Sequence, residues 1–483
     1  MGTLWEALAN WLRSLVCAGL VFVLSIPATA WSRGRGASTN ASLAVGPRPN
    51  IVLILTDDQR WDSLWSMPTV QREIVQRGVM LSNAYVVNPL CSPSRASILT
   101  GRSSHSTGVY TNALPYGGFN RFDDDSTIAT WLHGAGYRTG LIGKYMNSYD
   151  VAAHEGYVPP GWDRWVSFAR NNGTVYNYDL TVDGRILHYG TAPTDYSTDV
   201  LAGYAERFIR NTTRPLFLMF ATSSPHSPAL PAPGDQSTFH DLAAYRPPSH
   251  NESDVSDKPE WLRDTPPLAA ARIDAVDDFH VRQYQSLLGV DRAVGGIVRA
   301  LSDTGRLDNT LLVFMGDNGQ LLGEHRLTDK QAAYEESIRV PMAVRFDGRI
   351  TPGSTDAHLA LNIDLAPTFA AAGGAAAPDV EGRDLLPVLQ DSATPWRHRF
   401  TIEHTPDFSR VPPYCALHAE HAVYVRYATG EEEFYDLSID PYQLANRAGR
   451  PELAERIAGM RRALLRRCAP PPPGWPTSSA SAS

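Results

Sequence analysis

The chain has 483 residues, 43% of them hydrophobic and 19% charged, with a formal net charge of −8. That length and apolar content suit two domains, or one large domain with an appendage. The acidic balance excludes a general nucleic-acid binder, which needs a net basic face to displace counterions, but it is compatible with a local basic pocket.

The N-terminus carries Arg13, the apolar run from Leu15 to Ile26 and then Ala28-Thr29-Ala30. The run is too short for a comfortable membrane span and the small-x-small triplet suits signal peptidase, so residues 1–30 read as a secretory signal peptide. An uncleaved anchor is the alternative. Residues 31–48, rich in Ser, Gly, Arg and Ala, read as a flexible leader. No later run has membrane length, so no membrane contact is expected after signal removal. The expected location is secreted or extracytoplasmic, which in a eukaryotic host includes the lysosome. Of four cysteines, Cys17 leaves with the signal peptide. Cys415 and Cys468 both lie near the C-terminus and are candidates to pair, which leaves Cys91 over in an oxidising compartment.

Ordered structure is expected from Ile51-Val52-Leu53-Ile54-Leu55, a continuous apolar run without alternation, the pattern of a strand buried on both faces. It ends in Thr56-Asp57-Asp58-Gln59. The arrangement recurs three times: Thr139 to Gly143 leads into Lys144, Leu216 to Ala221 leads to His226, and Leu311 to Met315 leads through Gly316 to Asp317-Asn318. Helical patterns lie between, at Thr127 to Leu132 and, with three-to-four spacing, from Tyr284 to Leu301. Alternating strands and helices predict an α/β fold, in which ligands bind beyond the carboxyl ends of the strands. Every polar group just named falls there.

Cys91-Ser92-Pro93-Ser94-Arg95 precedes Gly101. Ser92 suits a helix cap, Pro93 a first helical position and Gly101 a helix end, which places Cys91 just before a helix N-terminus. Such an end favours an anion, and Arg95 one turn on adds a cation. An anion-processing site at Cys91 is one reading; a buried or disulfide-bonded cysteine at an ordinary helix is the other.

Residues 225–270 are proline-rich and read as a loop shaping the pocket, with Tyr145, Asn147, His404 and Tyr414 as further candidates to line it. Asn362 to Gly373 reads as another helix. The first domain is expected over 49–395. Beyond it, strand patterns at Arg399 to Glu403, His421 to Tyr427 and Glu433 to Leu437, a hairpin signal at Thr429-Gly430 and a closing helix through Leu453, Ile457, Met460 and Leu464 predict a small α+β domain over 396–468. Residues 469–483 read as a disordered tail.

Asp57, Asp58, Asp317 and Asn318 offer only hard oxygen donors, which suit Ca²⁺ or Mg²⁺ rather than zinc. The alternative is that each caps a neighbouring turn. Arg95, Lys144, His226 and Lys330 form a cationic complement. A metal with several cations describes a site for a tetrahedral oxyanion, and His226 could protonate a leaving alcohol. Taken singly, Lys330 reads better as a solvated surface cation.

Together these residues resemble the type I sulfatases, whose signature Cys91-Ser-Pro-Ser-Arg95 with Leu99-Thr100-Gly101-Arg102 follows. Asp57-Asp58-Gln59, Gly143-Lys144, Pro225-His226-Ser227-Pro228, Gly316-Asp317-Asn318-Gly319 and Lys330 with Tyr334-Glu335 occur in that family's order. The resemblance implies an alkaline phosphatase-like fold: a large, mostly parallel (mixed) sheet flanked by helices. It implies oxidation of Cys91 to formylglycine by a formylglycine-generating enzyme. One oxygen of the hydrated aldehyde would attack sulfur, and the other would later expel sulfate. It makes Asp57, Asp58, Asp317, Asn318 and the modified residue 91 ligands of Ca²⁺, Arg95 a support for the formylglycine, and Lys144, His226 and Lys330 sulfate-binding or leaving-group residues. The implied substrate is a sulfated sugar or an aryl sulfate.

Many members carry Gly-Lys-Trp-His where this chain has Gly143-Lys144-Tyr145-Met146-Asn147, so the base for sulfate release is not assigned. Gly-Lys-Tyr followed by Asn, and Phe434 to Leu444, are similar to the branch of N-acetylglucosamine-6-sulfatases and extracellular endosulfatases. A phosphonate monoester or phosphodiester hydrolase of the same superfamily, and a non-catalytic binder of sulfated glycans, are the competing functions.

Overall fold

The structure, a computed structural model, describes residues 48–170, 173–407 and 409–476. The expected signal peptide and, apart from Arg48, the expected leader lie outside the described residues. In chain order the strands are β1 (Asn50–Thr56), β2 (Val79–Leu81), β3 (Ala84–Tyr85), β4 (Arg138–Gly143), β5 (Arg164–Arg170), β6 (Tyr178–Val182), β7 (Arg185–Tyr189) and β8 (Leu216–Ala221). They continue as β9 (Thr310–Gly316), β10 (Met342–Arg345), β11 (Ser354–Asp356), β12 (Ala360–Leu361), β13 (Arg399–His404), β14 (Tyr414–Ala419), β15 (Ala422–Tyr427) and β16 (Glu432–Asp436). The helices used below are α1 (Cys91–Thr100), α2 (Ile128–Gly134), α3 (Ser197–Arg210), α4 (Ala270–Asp303), α5 (Leu365–Gly373) and α6 (Ala454–Arg467).

A ten-stranded sheet runs β11-β2-β10-β9-β1-β8-β4-β5-β6-β7. Its centre, β9-β1-β8-β4-β5, is parallel, whereas β10, β6 and β7 join antiparallel, so the sheet is mixed as expected. The apolar runs have no alternation because both faces are covered. Ile51, Leu53 and Leu55 point into one core with Leu99 of α1, Leu132 of α2 and Phe369 of α5. Val52 and Ile54 point into the other with Phe208 of α3 and Val290, Val294 and Ile297 of α4. Each such fully buried side chain stabilises the fold by about 1.5–3 kcal/mol, which makes the central strands rigid supports for whatever follows them.

The predicted helices form with shifted ends. Thr127 caps α2 in a capping box with Thr130, and Gly374, in the left-handed region at φ 66°, ends α5. Helix α4 begins at Ala270, well before the predicted Tyr284, because its first turns carry few buried residues and so no apolar stripe in the sequence.

β13 to β16 make a four-stranded antiparallel sheet. One face, with Ile402, Ala416, Val423 and Val425, packs on Tyr85, Tyr334 and Ile338 of the larger lobe. The other, with Leu417, Tyr424 and Phe434, lies under Ile457 and Leu464 of α6. The hairpin expected at Thr429-Gly430 joins β15 to β16, with Gly430 at φ 92°. Cys415 and Cys468 form a disulfide that ties the end of α6 to β14, and Cys91 is free. The bridge spans 53 residues, so Cys415→Ser should lower stability by about 4 kcal/mol through the entropy regained by the unfolded chain. Urea unfolding measures this, and an unchanged midpoint would contradict it.

The tail expected to be disordered from 469 is instead held to the body as far as Trp475. The indole packs against the core under α6, and Pro473 O accepts a hydrogen bond from Thr405 Oγ1 at 3.1 Å. Its bulk supplied the apolar contact that a count of prolines and serines overlooks. Residues 477–483 lie outside the described residues.

Candidate active site

β1 and β9 run parallel in register, Leu55 beside Met315 and Thr56 beside Gly316, so Asp57 and Asp317 emerge at the same level. The Asp317 N–H donates to Thr56 O at 2.9 Å. Asp58 adopts φ 61°, a left-handed conformation that costs a non-glycine residue energy, and its N–H donates to Asp317 Oδ1 at 3.1 Å. A Cβ at Gly319 would lie 2.1 Å from Glu336 O, so only glycine lets this second loop close on its neighbour. One oxygen each of Asp57, Asp58 and Asp317 lie within 4.8 Å of one another, all buried. Asn318 donates from Nδ2 to Asp58 Oδ1 at 2.7 Å, while its buried Oδ1 has no partner among the described residues.

Helix α1 starts two residues earlier than the spacing predicts, with extended Leu90 as the cap position and Cys91 as its first helical residue. Ser92 does not cap. Its N–H donates instead to Asn112 Oδ1 at 2.9 Å, and its hydroxyl exchanges hydrogen bonds with Asn147 at 3.1 and 3.2 Å. Gly101 ends the helix at φ 69°, as expected. All ten residues of α1 are buried. Cys91 Sγ is 3.5 Å from Asp57 Oδ1 and 3.1 Å from Lys330 Nζ.

The cations converge on the same point. Arg95 donates from Nε to Asp317 Oδ2 at 2.8 Å and from Nη1 to Lys144 O at 2.7 Å, with Nη2 3.7 Å from Asp57 Oδ2. It therefore braces three strand ends at once. Lys144 donates to Asp57 Oδ2. It can reach because Gly143, at φ 126°, passes so close to β8 that a Cβ would sit 1.8 Å from Ala221 O. Lys330 donates to Asp58 Oδ1 and is only 7% exposed, which overturns its reading as a surface cation. His226 Nδ1 lies 2.7 Å from Ser227 O, an acceptor only, so that nitrogen carries the hydrogen. Nε2 is then left free, 3.7 Å from Asp58 Oδ2.

Burial pushes the Asp57 carboxyl up, but Lys144, His226, Arg95 and Lys330 outweigh it and hold the group well below the usual carboxylate range. Burial and the Asp57 charge raise Asp317. The lysines lose some basicity to burial and gain more from Asp57 and Asp58, so both titrate above an ordinary lysine. Burial drives the Cys91 thiol up to about 12 in spite of Lys144 and Lys330. A thiolate is therefore disfavoured, and Cys91 as it stands is a poor nucleophile. Three buried carboxylates and an orphaned amide oxygen fit a hard divalent cation such as Ca²⁺; Cys91 and His226 also each offer an atom within 4.8 Å of an Asp57 oxygen.

A pocket of about 650 Å³ opens over this cluster and is lined by His226, Lys330, Met146 and Asn147. Asn112, Asp150, Arg170, Gln331 and Asp407 also line it. Four of these five, all but Arg170 at the end of β5, lie in loops or at a short helix start away from the strand-end motifs, which is why the sequence reading missed them. Several expectations fail here. Tyr145 is buried edge-on against Trp165, with ring centroids 5.0 Å apart. His404 is buried against the Tyr414 ring, centroids 5.1 Å apart, and Tyr414 spends its hydroxyl on Gln331 O at 2.9 Å. The proline-rich segment contributes only its first histidine to the wall; elsewhere Tyr245 stacks on Arg60 of the larger lobe and Lys258 reaches the C-terminal sheet, donating to the Tyr435 hydroxyl at 3.0 Å.

Comparison with known proteins agrees with this geometry. Residues 49–375 match the sulfatase family model, and residues 323–469 match the model described as N-sulphoglucosamine sulphohydrolase, C-terminal. The chain is 35% identical to human N-acetylglucosamine-6-sulfatase over 376 residues, 74% of this chain and 67% of that one. It is 32% identical to the extracellular sulfatase SULF-1 homolog of Drosophila melanogaster across 81% of its own length, and spans only 36% of that relative. A solved protein in complex with its substrate D-glucosamine-2-N,6-O-disulfate superposes with TM-score 0.76 at 25% identity, covering 87% of this chain and 98% of that one. The phosphonate monoester hydrolase of Agrobacterium radiobacter, at 20% identity and TM-score 0.70 over 88% of this chain and 96% of that one, shares the fold. The chain belongs to the sulfatase family.

Proposed function

We propose that the protein hydrolyses a sulfate ester on a small sugar, of the 6-O-sulfated glucosamine class, after Cys91 has been oxidised to formylglycine by a formylglycine-generating enzyme. The observation that carries this is the placement of a free, buried Cys91 at the start of α1, between Asp57 and Lys330 and beneath an open pocket. The named activities of the relatives support the substrate class. Asp57, Asp58, Asp317, Asn318 and residue 91 would hold Ca²⁺, which supplies positive charge against the sulfate oxygens. The hydrated aldehyde supplies the attacking oxygen.

The remaining work falls to side chains of this chain. Lys144 and Lys330 bind sulfate oxygens and stabilise the charge that builds on them. Arg95 holds Asp57, Asp317 and the Lys144 backbone in place. His226, its Nδ1–H fixed by Ser227 O, acts as the imidazolium: it gives the proton on Nε2 to the departing alcohol oxygen and is left as the neutral Nδ1–H tautomer. His226→Ala should therefore lower kcat for a sugar sulfate by about 100-fold or more. It should cost much less for an aryl sulfate whose phenolate leaves unaided. Equal losses on both substrates would contradict the assignment.

Among the described residues no helix is long and apolar enough to cross a membrane. Relatives named extracellular sulfatases support export. Incubation of the matured enzyme with N-acetylglucosamine 6-sulfate, an aryl sulfate and an aryl phosphonate tests the function. Sulfate release is expected from the first two, and turnover of the phosphonate alone would favour the phosphonate hydrolase reading.

A further inference from the structure

The charges around the pocket wall are unevenly distributed. His226 and Lys330 both face Asp58, at the floor where the scissile group would sit. Arg170, the other cation on the wall, is taken up by Asp179, with Nε and Nη2 at 2.7 and 3.1 Å from the two carboxylate oxygens. The other charged residues lining the pocket are acidic: Asp150, Asp407 and Asp329, the last beside Lys330. Asp150 and Asp407 have no ion-pair partner among the described residues.

Asp407 reaches the pocket from the loop after β13, the strand that opens the C-terminal sheet. It is fixed there on both sides. Its Oδ2 accepts from the Asn112 N–H at 2.7 Å, and its own N–H donates to Gln331 Oε1 at 3.4 Å. Asn112 in turn accepts from the Ser92 N–H beside Cys91, so the carboxylate is held in register with the start of α1. Its Oδ1 has no hydrogen-bond partner among the described residues.

We propose that Asp407, with Asp150, makes the pocket select against a second anionic group on the sulfated sugar. The preferred substrate would be a monosulfated amino sugar whose other substituents are neutral or cationic. This rests on the sulfate-ester reading above and adds the charge rule of the same pocket. A fixed carboxylate several ångströms from a ligand substituent discriminates through Coulomb energy that salt weakens.

The substituent on the sugar nitrogen offers a charge series. Glucosamine 6-sulfate, N-acetylglucosamine 6-sulfate and glucosamine 2-N,6-O-disulfate differ there by one unit at each step. In the matured enzyme kcat/KM should fall along the series, by about five- to tenfold per unit charge at low salt, mostly through KM, and the spread should shrink at high salt. Asp407→Asn keeps an acceptor for the Asn112 N–H and removes the charge. It should raise the ratio of disulfate to free-amine turnover by about five- to tenfold. Asp150→Asn, at an exposed position, should shift the ratio in the same direction.

Wild-type enzyme that handles the disulfate as well as the free amine would overturn the charge rule and leave the sulfatase reading standing. So would a ratio that neither variant nor salt moves. Failure to release sulfate from any of the three sugars would overturn both.

Discussion

Replacing Cys91 with alanine should abolish sulfate release, a fall on the order of 10⁴-fold or more in kcat, while the protein stays folded. The side chain is 1% exposed and faces a cluster of charges rather than solvent. Its loss removes one sulfur atom from a small site and costs about 1 kcal/mol. Asp57 and Lys330 retain each other's neighbours, since Lys144 pairs with Asp57 and Lys330 with Asp58 without help from the thiol. Cys91→Ser is the sharper variant. A hydroxyl still offers a donor to Asp57 and an acceptor to Lys330, so the packing and polar contacts persist. In a host whose modifying system accepts only cysteine, that variant should be as inactive as the alanine. Full activity of Cys91→Ser there would defeat the aldehyde chemistry, because a serine would then be attacking directly.

Stripping divalent metal should lower turnover by about 100-fold or more and reduce thermal stability, with Ca²⁺ restoring both. The reason lies in the charge balance of the site. Asp57, Asp58 and Asp317 face Arg95, Lys144 and Lys330, so the six formal charges cancel. A divalent ion taken up by the carboxylates would compensate their charge. It would release the two ammonium groups from Asp57 and Asp58 toward the sulfate oxygens, and would leave the site net positive for an anion. The buried, unbonded Asn318 Oδ1 would gain a partner at the same time. Asp317→Asn should weaken the Ca²⁺-dependent rise in melting temperature as well as the rate. If exhaustive chelation changes neither the rate nor the melting temperature, the oxygen cluster is structural and the metal assignment fails.

Much of this site was legible in the sequence because strand ends are legible. Three unbroken apolar runs and the shorter Leu141-Ile142, each leading into polar or cationic residues, mark strands buried on both faces. A parallel sheet must bring their carboxyl ends together. Asp57, Lys144, His226 and Asp317 could be placed that way before any distance was known. Residues whose position depends on long-range packing could not. Lys330 sits in a polar loop that reads as solvated, and is buried only because that loop folds back onto Asp58. Asp407 comes from another lobe, through an irregular segment with no periodicity. Its partner Asn112 lies in a turn whose role depends on where Ser92 points. The start of α1 shows the same limit. Local propensity favours Ser92 as the cap, but Asn112 and Asn147 satisfy that serine from a distance and let the helix begin at Cys91. His404 and Tyr414 err the other way: they are polar residues near the end of the chain that fold into the interface under the C-terminal sheet.

The central claim is that residue 91 acts as an aldehyde and not as a thiol. Mass spectrometry of the peptide spanning Cys91 from active enzyme tests it most directly. The peptide should be lighter than the cysteine form by the difference between a CH₂–SH and a CHO group, in proportion to specific activity across preparations. A fully active preparation in which that peptide carries only the free thiol would contradict it.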